Sequence, residues 1–188
     1  MKQLKQTLLV FTIAVGLFAK AQTGNDFQQG TVTNYANETS VGSIKPMFKQ
    51  RGVIIFQNAN QQKRQLSPIE ISAFTVGNEN YNAYTNDFYK VIIKGEKASL
   101  LERVTDNGGK IYYNGTIPVN TPSLEGKIGD LYLLKAGAGE PVLVSGAAFS
   151  KNAASLWGDC SAIAGTLALK TIDAAALKNL VAQYNSCK

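Results

Sequence analysis

The hydrophobic pattern of this chain changes period once, near residue 147, and that change constrains the fold more than any other feature. Up to residue 146, apolar residues come in short, often β-branched runs, each stopped by Gly, Asn or Pro. "GVIIFQ" (52–57) runs into the polar turn "NANQQ" (58–62), and "SAFTVGNEN" (72–80) reads as strand and turn. "FYKVIIKG" (88–95) and "EKASLLERV" (96–104) read as a hairpin bending at Gly95, with Phe88, Lys90 and Ile92 alternating against Tyr89, Val91 and Ile93. "DNGGK" (106–110) reads as a hairpin turn, because Asn-Gly tolerates positive φ. "DLYLLKAG" (130–137) pairs with "PVLVSG" (141–146) across "AGE" (138–140). "SPIE" (67–70) carries a capping-box signature for a short helical turn, and 120–129 reads as an irregular loop.

From 147 onward, Ala and Leu replace the β-branched residues. Leu177, Leu180, Val181 and Tyr184 fall at i, i+3, i+4 and i+7, with Asp173 placed to cap the helix. The predicted fold is α+β: a mainly antiparallel sheet of about six to eight short strands over 28–146, then a helical segment over 147–188. Residues 22–188 form one domain, long enough for a sizeable core. No internal repeat or long linker interrupts it.

The first twenty-one residues read as a signal peptide. A basic "MKQLK" precedes a short apolar run (7–19), and "AKA" (19–21) offers small residues for cleavage before Gln22. The run is shorter than the ~20 apolar residues of a spanning helix. The mature chain therefore has no expected transmembrane segment, and the strands lack the lipid-facing alternation of a membrane barrel. Removing Lys2, Lys5 and Lys20 from the formal +6 leaves +3. The basic residues Lys45, Lys49, Arg51, Lys63 and Arg64 read as a solvated face, and nothing indicates nucleic acid.

Export changes the reading of the two cysteines. Disulfides persist outside the cytoplasm, and Cys160 and Cys187 allow one intrachain pairing. Closing the loop from 160 through 187 is worth ~3.5 kcal/mol in the chain-entropy model. Cys187 follows Tyr184 on the apolar face of the last helix, and Cys160 falls near the end of a preceding one. The bridge would staple a terminal helix that otherwise frays.

The chain has no histidine. That removes Ser-His-Asp and Cys-His nucleophile systems, histidine bases and a Cys/His zinc site. No metal site or cofactor is expected, and no catalytic residue is assigned. Thirteen carboxylates remain, from which a glycosidase would need two facing across a cleft. Glu70, Glu79, Asp87 and Glu102 sit near hairpin edges, but no spacing selects a pair. "SKN" (150–152) would need a buried lysine to act as a Ser-Lys system. In "NENYNAYTNDFY" (78–89), Tyr81, Tyr84 and Tyr89 alternate with amides in a way that suits sugars or peptides. The alternative is that these aromatics enter the core, as Trp157 is expected to do.

Several stretches resemble a family of uncharacterised secreted proteins from Bacteroidetes-type bacteria. "IEISAFTVGNENY", "FYKVIIKGEKASLLE" and "GDLYLLKAGAGEPVLV" are similar to its strands and hairpins. "DC" at Asp159–Cys160 and "YNSC" at Tyr184–Cys187 resemble its C-terminal pair. The likeness spans about residues 50–188 and implies an exported α+β protein with no assigned activity. The expected function is a non-catalytic binding module in the periplasm, at the outer membrane or outside the cell, with an envelope protein or glycan as partner. A carboxylate-dependent hydrolase of an envelope polysaccharide and an outer-membrane assembly or structural factor are the alternatives.

Overall fold

The computed structural model describes residues 27–114, 116–120 and 122–187, so the expected signal peptide and the residues up to 26 lie outside it. It is an α+β fold. Ten strands form one antiparallel sheet: β1 (Gln28–Asn34), β2 (Thr39–Met47), β3 (Val53–Gln57), β4 (Lys63–Leu66), β5 (Ile71–Val76), β6 (Glu79–Tyr84), β7 (Asp87–Ile93), β8 (Ala98–Arg103), β11 (Leu131–Lys135) and β12 (Val142–Leu143). Their order is β12-β11-β8-β7-β6-β5-β1-β2-β3-β4. A separate hairpin pairs β9 (Ile111–Asn114) with β10 (Ile117–Asn120). The strands outnumber the six to eight read from the sequence. The extra ones, such as β4 with "KRQL", have too few apolar residues to show a period.

The hairpins owe their bends to local chemistry. Thr85 and Asn86 both take positive φ between β6 and β7, the geometry of a tight two-residue turn that follows strand twist. "DNGGK" does not join hairpin partners as expected: β8 pairs with β11 instead, and β9 pairs with β10. Asn107 is buried, and its amide donates to Gly52 O at 3.1 Å and Asn86 O at 2.8 Å, tying three segments together. "SPIE" forms a turn rather than a helix. The Glu70 carboxylate does reach back to Ser67 N, at 2.9 Å, but Ser67 Oγ donates to Glu70 as well, so it does not cap a backbone N–H.

One sheet face carries two cores, closed in different ways. At the β7-β8-β11-β12 end, helices cover it. α2 (Ala148–Trp157) and α4 (Ala174–Ser186) bury Phe149, Trp157, Leu177, Leu180, Val181 and Tyr184 against Leu100 and Leu133. Between them, residues 161–163 form a 3-10 turn and α3 (Ala164–Leu167) follows. Asp173 caps α4 as its position predicts, accepting Ala176 N at 2.8 Å. Cys160 and Cys187 are bonded, with Cα atoms 6.1 Å apart. Asn185 adds a second tie: its Oδ1 accepts Lys97 N and Ala98 N, both at 3.0 Å, and its Nδ2 donates to Ala98 O. The fit leaves no room for a side chain at Gly95.

At the other end no helix is needed, because the sheet folds over itself. Val32, Ile44, Ile54, Phe56 and Leu66 from β1–β4 pack against Phe74, Tyr81 and Phe88 from β5–β7. Gly30 and Gly42 are opposite one another on the inward face of β1 and β2. A Cβ on Gly42 would lie 2.6 Å from a Phe56 ring carbon, so the missing side chain lets the ring close on the backbone. A short helical turn, α1 (Phe48–Arg51), presents Phe48 to Phe74, Tyr81 and Phe88.

The opposite sheet face carries a smaller core of Tyr89, Leu101 and Tyr132. Beside it a buried ion pair ties down residues 105–107 and 123–126. Asp87 and Arg103 are fully enclosed and 2.8 Å apart. Arg103 also donates to the carbonyls of Thr105, Leu124 and Gly126, to Ser123 Oγ and to Asp106. Thr105 Oγ1 and Asn107 N donate to Asp87. Every arm of the guanidinium is used, which is what makes such a pair tolerable away from water.

Candidate functional site

The three tyrosines read as a recognition strip are split: Tyr84 and Tyr89 touch on one sheet face, and Tyr81 lies on the other. Tyr81 is buried inside the folded-over half, its ring stacked on Phe74 at 4.5 Å. Tyr89 points to the opposite face and is fully enclosed, edge-on to Tyr132 and Tyr84. Strict alternation along β6 and β7 causes this split. Tyr84 is half-buried and borders a shallow hollow with Tyr35, Asn82 and Glu140.

The four carboxylates noted in the sequence also separate. Asp87 belongs to the ion pair with Arg103. Glu79 bonds to Lys90, which is directly opposite Glu102 in the β7–β8 register. The Lys90 ammonium and then the Tyr81 hydroxyl pull Glu79 below its ordinary value. Burial, and then the Glu79 carboxylate, push the Tyr81 phenol up. This arrangement is a polar seam between the two cores. Ser150 donates to Ala147 O and Lys151 is exposed, so the two form no buried Ser-Lys pair. Trp157 is core.

Glu70 alone of these carboxylates borders a substantial groove. The groove encloses about 580 Å³ at the open mouth of the folded-over half. Its floor is the outer edge of the core there: Val32, Phe56, Leu66 and Ile71, each more than nine-tenths buried. Two hairpin tips form its rim, the β1–β2 turn "NYANE" (34–38) and the β3–β4 turn "NANQQ" (58–62).

The two tips are built alike. Asn34 N donates to Glu38 O at 3.0 Å, and Asn58 N to Gln62 O at 3.1 Å. The fourth residue takes the left-handed conformation in each, Asn37 with φ 62° and Gln61 with φ 61°. Asn34 Oδ1 accepts Ala36 N and Glu38 N, both at 2.9 Å. Asn58 Oδ1 accepts Asn60 N and Gln62 N, both at 3.0 Å. Each asparagine then donates to the fifth side chain: Asn34 to Glu38 at 2.7 Å, Asn58 to Gln62 at 3.1 Å. An asparagine in this position mimics the turn backbone and holds its own amide still.

The charges on the rim are balanced. Arg64 pairs with Glu70 Oε1 at 3.1 Å, while Glu70 Oε2 is taken by Ser67. The Lys63 ammonium lies over the Phe27 ring, 5.1 Å from its centre. Glu38 Oε1, Ser40 Oγ and Gln62 Nε2 make no hydrogen bond among the described residues and remain available to a ligand.

Sequence reading missed this groove. Its signal was present as the paired spacing N-x-x-x-E and N-x-x-x-Q, but nothing along the chain says that the two turns meet. Among the described residues no cluster of Cys, Asp and Glu could hold a metal ion. No described helix is long and apolar enough to cross a membrane. Set against family models, curated proteins and solved structures, the chain matches none.

Proposed function

We propose that this chain is an exported, non-catalytic binding protein of the cell envelope, and that the groove between the two asparagine-clamped hairpins is its binding site. The groove carries this reading. It joins an apolar floor to a rim of polar groups whose positions are set by their own turns. Preorganised groups lose little entropy on binding, so a modest cleft can be selective. The disulfide and the signal-like leader support export.

Hydrogen exchange of the mature chain (22–188), with and without fractionated envelope glycans and peptides, tests the site. Binding here protects 34–40 and 56–66 in a saturable way. Protection elsewhere, with these segments unchanged, overturns the assignment.

A second reading is hydrolysis of an envelope polysaccharide, favoured by one observation: Glu38 and Glu70 line the same groove. Both Glu70 oxygens are already engaged. Turnover of envelope polymers that disappears in both Glu38→Gln and Glu70→Gln would replace the binding reading with this one.

A further inference from the structure

We infer that the ligand of the groove is a short, uncharged oligosaccharide, an inference that rests on the groove being the binding site. Three features of the rim and floor converge on it.

The first is charge. Two carboxylates, Glu38 and Glu70, and two cations, Lys63 and Arg64, line the groove. Their formal charges cancel, and Arg64 and Glu70 neutralise each other directly. No net field selects an anion or a cation.

The second is hydrogen-bonding character. The uncommitted groups are an acceptor at Glu38 Oε1, a donor at Gln62 Nε2 and a hydroxyl at Ser40. Asn34 and Asn58 each add their second amide hydrogen, the first being spent within the turn. Donors and acceptors are thus interleaved around one rim. A hydroxyl both donates and accepts, so a ring carrying several hydroxyls satisfies such a rim without burying an unpaired group.

The third is the floor. Val32, Phe56, Leu66 and Ile71 are aliphatic or aromatic. A pyranose presents C–H bonds on its face and hydroxyls at its edge, and so covers this floor while its edge meets the rim. The volume, about 580 Å³, falls within the ~300–1,000 Å³ of small-ligand clefts and has room for a short oligomer.

The test is titration of the isotope-labelled mature chain with neutral glucan and N-acetylated glucan tetrasaccharides, a uronic-acid tetrasaccharide and uncharged tetrapeptides, following the side-chain amides of Asn34, Asn58 and Gln62. A neutral sugar should shift these signals saturably, with little change in affinity as salt rises through the range that screens surface charge. Gln62→Leu and Glu38→Gln should each weaken binding roughly tenfold, while the thermal midpoint falls by no more than the few degrees that one exposed hydrogen bond within a tip is worth. Preference for the uronic-acid sugar, with strong salt dependence, would overturn the uncharged class. Peptides shifting these amides while every sugar fails would overturn the sugar but keep the groove. No shift at any of the three amides, from any probe, would sink both.

Discussion

The two ends of the sheet solve one problem differently. Each must bury the same face. At the β7-β8-β11-β12 end, α2 and α4 cover it, and the Cys160–Cys187 bond and Asn185 hold the cover down. At the β1–β4 end the sheet covers itself, helped by the Gly30–Gly42 pair. A helical lid covers its core, whereas the sheet that folds over leaves a mouth rimmed by its two hairpin tips. The proposed groove lies in the half closed by the sheet, at its hairpin tips. Between them, Asp87 and Arg103 on β7 and β8 anchor the long segment on the reverse face.

The largest effect should come from breaking what the halves share. Arg103→Met leaves Asp87 enclosed without its cation, and should cost about 3–5 kcal/mol by denaturant unfolding. Both halves should melt together. If only the 104–126 segment loosens, the pair is local. The double variant Asp87→Leu/Arg103→Met should recover much of that loss, because no charge is then stranded.

Cutting the staple separates the halves. Cys160→Ser with Cys187→Ser should cost about 3 kcal/mol, with hydrogen-exchange protection falling in α4 before β1–β6. Equal loss throughout would show that α4 is integral to one cooperative core. Asn185→Ala on top of this change should release α4 further, since its amide bridges the β7–β8 turn.

The folded-over half has its own weak point. Gly42→Val places carbon atoms against the Phe56 ring and should destabilise by about 1–3 kcal/mol, widening the groove while α4 keeps its protection. Alkaline pH acts on both faces of the sheet at once. Burial raises the phenols of Tyr81 and Tyr89 above their ordinary value, so the folded state holds protons that the unfolded chain releases near pH 10. Stability should be full below that pH and fall as pH rises through it, by up to about 1.4 kcal/mol per pH unit per tyrosine. Phenolate absorbance that appears only with unfolding would confirm it.

The smallest effect is acidic. Glu79 is held below its ordinary value, so its contribution is present at neutral pH and lost as pH falls below the ordinary glutamate range. It is half exposed, and its loss should cost well under 1 kcal/mol. A Lys90→Met variant should flatten that part of the pH profile.

Much of this protein was determined by sequence alone, wherever the signal was local. The period change near 147, the buried stripe Leu177, Leu180, Val181 and Tyr184, the Asp173 cap and the β7–β8 hairpin all follow from residues within a few positions of one another. The disulfide followed from there being two cysteines and one possible pairing. Tertiary structure alone decided the rest. Whether Tyr81 and Tyr89 share a face depends on strand register, and register sent them to opposite cores. Arg103 looks like any surface arginine until β11 brings the 122–126 loop over it. The two hairpin tips each have a local signature, but they stand side by side because β2 pairs with β3, and the groove between them is completed by residues of β4 and β5. No single stretch of sequence contains that pairing.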